Sequence, residues 1–234
     1  MIRVSAGTAG LMGMSHCLQT APPTTAYLMV GEKCTNNCSF CAQAWGSSRG
    51  SSFLSRITWP EYPLPEVLEG LSAAYTENAL KRVCIQVVRR SDSLKEVTGL
   101  ICLIKDTVPE IPLSVSISLD SLEAVAEILG AGADSVNISL DGASPSVFED
   151  MKQRPWNKVW ALLTQAARSF PRRITTHIIA GLGEKEIDLA KTLQKCKDLG
   201  INTGLFAFTP IKGTPMEGKP QPHLCLLYTS PSPR

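Results

Sequence analysis

The 234-residue chain has little histidine: His16, His177 and His223 lie far apart. Among its eight cysteines there is only one closely spaced C-x2-C pair, whereas a structural zinc site draws four ligands from two such pairs. Zinc is therefore a poor reading of this chain. Charge of one sign is also lacking, since 23 basic residues face 21 acidic ones for a formal net charge of +2. That balance gives no case for a nucleic-acid or membrane-surface partner. Long hydrophobic runs are missing; the longest are strand-sized, far short of a membrane span. The N-terminus shows no secretory hydrophobic region, and a chain of this length needs no disulfide staples. Free cysteines in this number fit a reducing cytoplasm. No repeat of solenoid spacing is present.

The last ten residues, CLLYTSPSPR (Cys225 to Arg234), read as a translated sequencing-library adapter. They are set aside from the fold argument, Cys225 included. Residues 1–224 are then expected to form one domain whose natural C-terminus is cut. A chain of about 220 residues buries a sizeable core.

What is present is a run of three cysteines. Cys34, Cys38 and Cys41 stand in CTNNCSFC, a C-x3-C-x2-C spacing, just after the apolar stretch AYLMVG. Three thiolates on one short loop suit three irons of a [4Fe–4S] cluster and leave the fourth iron without a protein ligand. An open iron is a chemical site. It suits the amino and carboxylate groups of S-adenosylmethionine, whose reductive cleavage yields a 5′-deoxyadenosyl radical able to break unactivated C–H bonds. With Phe40 just before the third cysteine, the loop resembles the signature of the radical SAM superfamily.

Strand-like runs at 26–31, 82–88, 112–118, 134–140, 173–180 and 203–209 alternate with helical patterns near 64–78, 92–107, 121–130, 145–169 and 184–199. Leu122, Val125, Ala126 and Leu129 mark one buried helix face. Gly130 and Gly200 are placed to cap helix C-termini. Such alternation predicts an α/β fold with a parallel sheet, here an open (β/α)6 partial TIM barrel with its reactive groups at the strand C-termini. Residues 46–60 read as a mobile polar connection.

Other strand ends become candidates. Asp141, in SLDG, could accept hydrogen bonds from a ribose diol or could cap the following helix. Gly181 and Gly183 could allow close approach of a ligand or simply make a turn, and Glu184 opens the next helix. The run FTPIKGTP (208–215) could read an adenine edge or serve as a rigid exit loop.

A narrower likeness follows. YLMVGEKCTNNCSFCAQA, RVCIQVV, VNISLDG, IIAGLGE and KGTP are similar, in the same order, to blocks of the biotin synthase and lipoyl synthase branch. The likeness implies ribose contacts of S-adenosylmethionine at Asp141 and at Asn137 or Ser139; Phe40, Gly181 and Glu184 stand beside them as candidate cofactor-binding residues. It implies a partner for the methionine carboxylate at Arg154, which could otherwise be a solvated helix residue. It also marks a departure. Biotin synthase holds a second cluster with three strand cysteines; Cys84 matches the first, while Ser114 and Thr175 stand at the others. Hydroxyls serve iron–sulfur clusters poorly. The N-terminal auxiliary cysteines of lipoyl synthase are missing too, with only Cys17 in residues 1–25. A subunit of a split, two-protein lipoyl synthase is the nearest resemblance. It implies sulfur insertion into an acyl chain borne by a lipoyl domain, a second radical SAM protein as partner, a donor sulfur from that partner or from a second iron–sulfur cluster not fully encoded here, and an electron donor such as ferredoxin or flavodoxin. A biotin synthase-like activity, or a non-catalytic cluster-binding subunit, stays open. Cys196 and Cys102 read as core, Cys84 as core or as part of a site inside the barrel.

Overall fold

The computed structural model describes residues 1–16 and 20–223. Cys17 and the adapter-like tail lie outside the described residues. In chain order the elements are β1 (Ile2–Val4), α1 (Ala6–Leu11), β2 (Thr25–Val30), β3 (Phe53–Leu54), β4 (Ile57–Thr58), β5 (Glu61–Tyr62), α2 (Leu64–Thr76), β6 (Arg82–Val87) and α3 (Ser93–Thr107). There follow β7 (Leu113–Ile117), α4 (Leu122–Gly130), β8 (Ser135–Ile138), α5 (Pro145–Lys152), α6 (Trp156–Ser169), β9 (Ile174–Ala180), α7 (Glu186–Asp198) and β10 (Asn202–Ala207).

Six strands, β2 and β6 to β10, pair parallel in sequence order. β1 adds to the free edge of β2 antiparallel, and β5 adds antiparallel to β1. Each parallel step is bridged by helix, as short right-handed crossovers require. Among the described residues no ladder joins β10 back to β5, so the barrel is open.

Side chains alternate across the pleat. On the outer face Val83, Ile85, Leu113, Val115, Val136 and Ile138 are buried against the helices. Their neighbours Cys84, Gln86, Ser114, Ser116, Ser135 and Asn137 face the interior. The register keeps this parity across strands, with Cys84 beside Ser114, Ser114 beside Ser135 and Asn137 beside Thr175.

Several expectations change. The helix expected over 145–169 is two helices. Gln153 turns left-handed (φ 53°), and Pro155 lacks the amide the ladder needs and pushes Arg154 out of the helical region. Gly200 follows α7 in the left-handed conformation (φ 69°), but after α4 that conformation is taken by Gly132 (φ 114°) and not by Gly130. The 46–60 segment is more than a polar connection. It carries the β3–β4 hairpin, and Trp59 beyond it is buried against Met29 and Val88. Cys102 is exposed, whereas Cys196 lies in the core.

Gly31 turns the chain out of β2 toward the cysteine loop with φ 83°, and a Cβ there would lie 2.7 Å from the carbonyl oxygen of Val88. Gly31→Ala is expected to cost at least about 1–2 kcal/mol from the left-handed conformation alone. The measurement is urea denaturation. An unchanged midpoint would show that the turn relaxes freely.

Candidate functional site

The cysteine loop is a chain of tight turns. Cys34 N donates to Gln43 O (3.1 Å), Cys41 N to Cys38 O (3.1 Å) and Ala44 N to Cys41 O (3.1 Å). Three neighbouring segments hold the loop in place. Thr35 N donates to Arg89 O after β6 (2.9 Å), Ser39 N to Met151 O of α5 (2.8 Å) and Ser48 N to Gly213 O after β10 (3.0 Å). The KGTP run is thus a docking partner for this loop.

Burial pushes the Cys38 thiol up to about 11, against the pull of Lys152. Burial likewise pushes Cys41 up to about 12, with Cys38 and Cys34 adding to the shift. The three cysteines share one eight-residue loop closed by these turns. No group of three His, Cys, Asp or Glu side chains among the described residues converges as a single ion requires. Sulfurs that bind separate irons of a cubane stand further apart than the donors of one ion.

Phe40 packs with Leu182, Phe208 and Met216, an apolar cluster that joins the cysteine loop to the loops after β9 and β10. Beside it the SLDG turn is tightly held. Asp141 is left-handed (φ 62°); its N donates to His177 O (2.7 Å), and its carbonyl accepts from Ile179 N (2.8 Å). The cap of α5 is Ser144, whose Oγ accepts from Val147 N, so Asp141 is not the helix cap. Its carboxylate Oδ2 instead lies 2.6 Å from Lys152 Nζ, which also donates to Ser139 O at 2.6 Å. Ser139 Oγ donates to Asn137 Oδ1 (2.8 Å), and Asn137 Nδ2 donates to Thr175 Oγ1 (3.1 Å).

Arg154 turns to another network. Its guanidinium bonds Ser118 and Asp120 and reaches Leu119 O at 3.4 Å, while Asp120 also binds Arg89. Glu184 accepts from Gly181 N (2.6 Å) and Leu182 N (3.0 Å), closing its own turn. At Gly181 (φ 97°) a Cβ would lie 2.8 Å from Pro222, so only glycine fits.

Below these loops the barrel holds a cavity of about 790 Å³. Its wall carries hydroxyls and amides, among them Ser114, Ser116, Asn137, Thr175 and Thr203. Cys84 accepts from Gln86 Nε2 at 3.1 Å; burial pushes its thiol up while Ser114 and Gln86 oppose. No other described cysteine lines this cavity. His177 stands edge-on to Phe206 (5.0 Å between rings), and burial holds its imidazole below the ordinary value. Leu54 and Trp59 line the cavity too, and both pack in the same cluster as Cys34. The hairpin therefore links the cysteine loop to the interior.

Sequence reasoning missed Lys152 and Trp59. A lysine in an amphipathic helix reads as solvated, and one tryptophan in a polar run has no periodic partners.

An open parallel barrel with a three-cysteine loop after its first parallel strand defines a radical enzyme of the iron–sulfur kind. The profile described as the Radical SAM superfamily matches residues 28–196, and the chain belongs to that superfamily. With it come a [4Fe–4S] cluster and S-adenosylmethionine as cofactors. Among solved structures, methylornithine synthase superposes with TM-score 0.67 at 14% identity, over 83% of this chain and 56% of that one. The hydrogenase maturase HydG from Carboxydothermus hydrogenoformans gives 0.62 at 19%, over 83% and 47%. Streptococcus suis SuiB bound to S-adenosylmethionine gives 0.62 at 12%, over 85% and 44%. The chain spans about half the length of these proteins, and identities this low establish the fold alone. No curated protein sequence matches. Among the described residues no helix is long and apolar enough to cross a membrane.

Glu184→Ala is expected to leave the Gly181 and Leu182 amides unpaired in a partly buried turn. The cost is about 1–3 kcal/mol, read by thermal or urea denaturation. Wild-type stability in this variant would mean that water replaces the carboxylate fully.

Proposed function

We propose that Cys34, Cys38 and Cys41 hold three irons of the [4Fe–4S] cluster, and that the enzyme draws hydrogen from a substrate carbon placed in the barrel cavity. The donor set fits the cluster. Three half-buried cysteines share one loop, and desolvation keeps the Cys38 and Cys41 thiols neutral until a metal displaces their protons. The remaining described cysteines lie elsewhere, Cys84 in the cavity, Cys102 on α3 and Cys196 on α7, so among the described residues no fourth thiolate competes for the open iron. When bound, the cluster and S-adenosylmethionine supply a 5′-deoxyadenosyl radical.

This chain's residues do the rest. The Phe40, Leu182, Phe208 and Met216 cluster offers an apolar seat for an adenine and keeps water out. Asp141 stands beside it with one carboxylate oxygen left to accept from a ribose. Gly181 flanks Leu182 of that cluster in the turn closed by Glu184, and Asn137 and Ser139 fix the turn that carries Asp141. Arg154 is committed to Asp120, which argues against its holding the methionine carboxylate.

The finer reading is sulfur insertion into an unactivated acyl chain, in the manner of lipoyl synthase. The observation that carries it is the cavity. Its volume falls in the range of about 300–1,000 Å³ usual for small-molecule sites. It has a polar wall for an amide, and it opens where Tyr27, Ile57 and Phe206 are 39%, 48% and 51% exposed. An acyl chain on a carrier lysine could enter there. A saturated chain has no acidic hydrogen at the carbons to be thiolated, so a radical is required. With Cys84 as the one described thiol in the cavity, the donor sulfur comes from a second radical SAM protein or from a cluster outside these residues. A reductant such as ferredoxin or flavodoxin supplies the electron.

Reconstituted protein is expected to bind about four irons and four sulfides per chain. Cys38→Ala should lose both the cluster and 5′-deoxyadenosine release; robust release would sink the ligand assignment. With an octanoylated lipoyl domain, the chain alone should release 5′-deoxyadenosine and form little lipoyl product, and a related second radical SAM protein should restore it. Mass spectrometry of the carrier peptide decides. Complete two-sulfur product from this chain alone would defeat the split-enzyme reading, and wild-type protein with a full cluster but no 5′-deoxyadenosine would make it a scaffold.

A further inference from the structure

Lys152 is buried to 4% exposure at the last turn of α5. A lysine there ordinarily extends its ammonium into water, and burying the charge is costly unless it is paired and hydrogen-bonded. Here the pairing is complete and local. Both strong hydrogen bonds go to the SLDG turn, to Ser139 O and Asp141 Oδ2, each at 2.6 Å. The ammonium also lies 5.4 Å from the ring of Phe148, itself fully buried, a favourable placement for a cation.

The target of this clamp has little other freedom. The Asp141 backbone is left-handed, and both its amide and its carbonyl are spent on β9. Adding bulk beside it is blocked, since a Cβ on Gly142 would lie 2.8 Å from Phe148 Cα. Only the side-chain torsions of Asp141 remain, and Lys152 fixes them by one oxygen. The other, Oδ1, accepts no hydrogen bond from the described residues, and the side chain is 14% exposed. One oxygen is clamped and one is presented.

We propose that Lys152 is a positioning residue of the cofactor site, holding Asp141 so that Oδ1 meets the ribose of S-adenosylmethionine. This rests on the reading of Asp141 as a ribose contact. The alternative is a tie between α5 and the SLDG turn that serves stability only.

The test is equilibrium binding of S-adenosylmethionine to full-length, anaerobically reconstituted protein, with iron content and melting temperature measured alongside. Lys152→Met is expected to weaken binding on the order of tenfold or more with iron content unchanged. Asp141→Asn should weaken it comparably. The double variant, in which the pair is neutral, should bind no worse than Asp141→Asn alone, because residues acting as one unit are not additive. Lys152→Arg, which keeps the charge but not the compact ammonium, should bind more weakly than wild type and more tightly than Lys152→Met. Wild-type affinity in Lys152→Met, with Asp141→Asn impaired, would overturn the proposal, as would an additive loss in the double variant. Unchanged binding in Asp141→Asn would instead remove the ribose reading itself. If Lys152→Met does not fold, Lys152→Arg carries the test. Its effect on affinity should vanish when Asp141 is Asn, and an effect that persists would overturn the proposal.

Discussion

The structure depends on strand parity. Helices cover the outside of a parallel sheet, so every second residue of each strand must be apolar and tightly packed. Val83 and Ile85, Leu113 and Val115, Val136 and Ile138 meet that demand. Parallel sheets are usually buried on both faces and read as unbroken hydrophobic runs. Here the interior face is released from that demand, because it borders a cavity. The intervening positions are free to carry Cys84, Ser114, Ser116, Asn137 and Thr175. A slip of one residue in any strand would exchange the two sets. It would put hydroxyls under the helices and valines in the cavity, so the packing that stabilises the fold also fixes which side chains a substrate meets.

The same parity explains why the polar wall does not collapse. Ser116 and Ser139 both donate to Asn137 Oδ1, and Asn137 donates to Thr175 across the next strand. The wall satisfies itself laterally, and little desolvation penalty is left for an incoming molecule to overcome. At the strand ends, where lateral pairing stops, the loops bind one another. The cysteine loop is tied to segments after β6 and β10 and to α5. None of these ties involves a cysteine sulfur, so the loop is positioned by backbone; within it Cys34 Sγ accepts one long hydrogen bond, from Asn36 N at 3.4 Å.

Legibility from sequence followed the same physics. The six parallel strands were readable to within a few residues at their ends, because alternation and helical spacing are periodic signals. β1 was not, since Ile2–Val4 is three residues long and joins the sheet only through tertiary pairing with β2 and β5. The break at Pro155 was visible as a residue but was overridden by the amphipathic pattern on either side. The β3–β4 hairpin hid because Phe53, Leu54, Ile57 and Trp59 are scattered among serines and arginines. At the site, the residue types that spell chemistry were legible from spacing. Their alliances were not. Whether Asp141 caps a helix or pairs with Lys152, and whether Arg154 faces the cofactor or Asp120, depends on neighbours far along the chain.

Those alliances carry a functional argument of their own. Two cations follow the SLDG turn within one short stretch, and sequence alone would rank the arginine as the stronger anion partner. The structure divides them. Arg154 binds Asp120, whose carboxylate also holds Arg89, and so stitches the loops after β6 and β7 to α5 on the outer rim. Lys152, the shorter and more flexible side chain, is drawn inside, where Phe148 and the Ser139 carbonyl replace its water. An arginine at 152 would have to fit a planar fork into a space shaped for a point charge, and a lysine at 154 would lose the several-donor reach that spans Ser118, Leu119 and Asp120. The arginine ties the loops together, and the buried lysine holds the Asp141 carboxylate by one oxygen. The division of labour follows from side-chain geometry, not from charge.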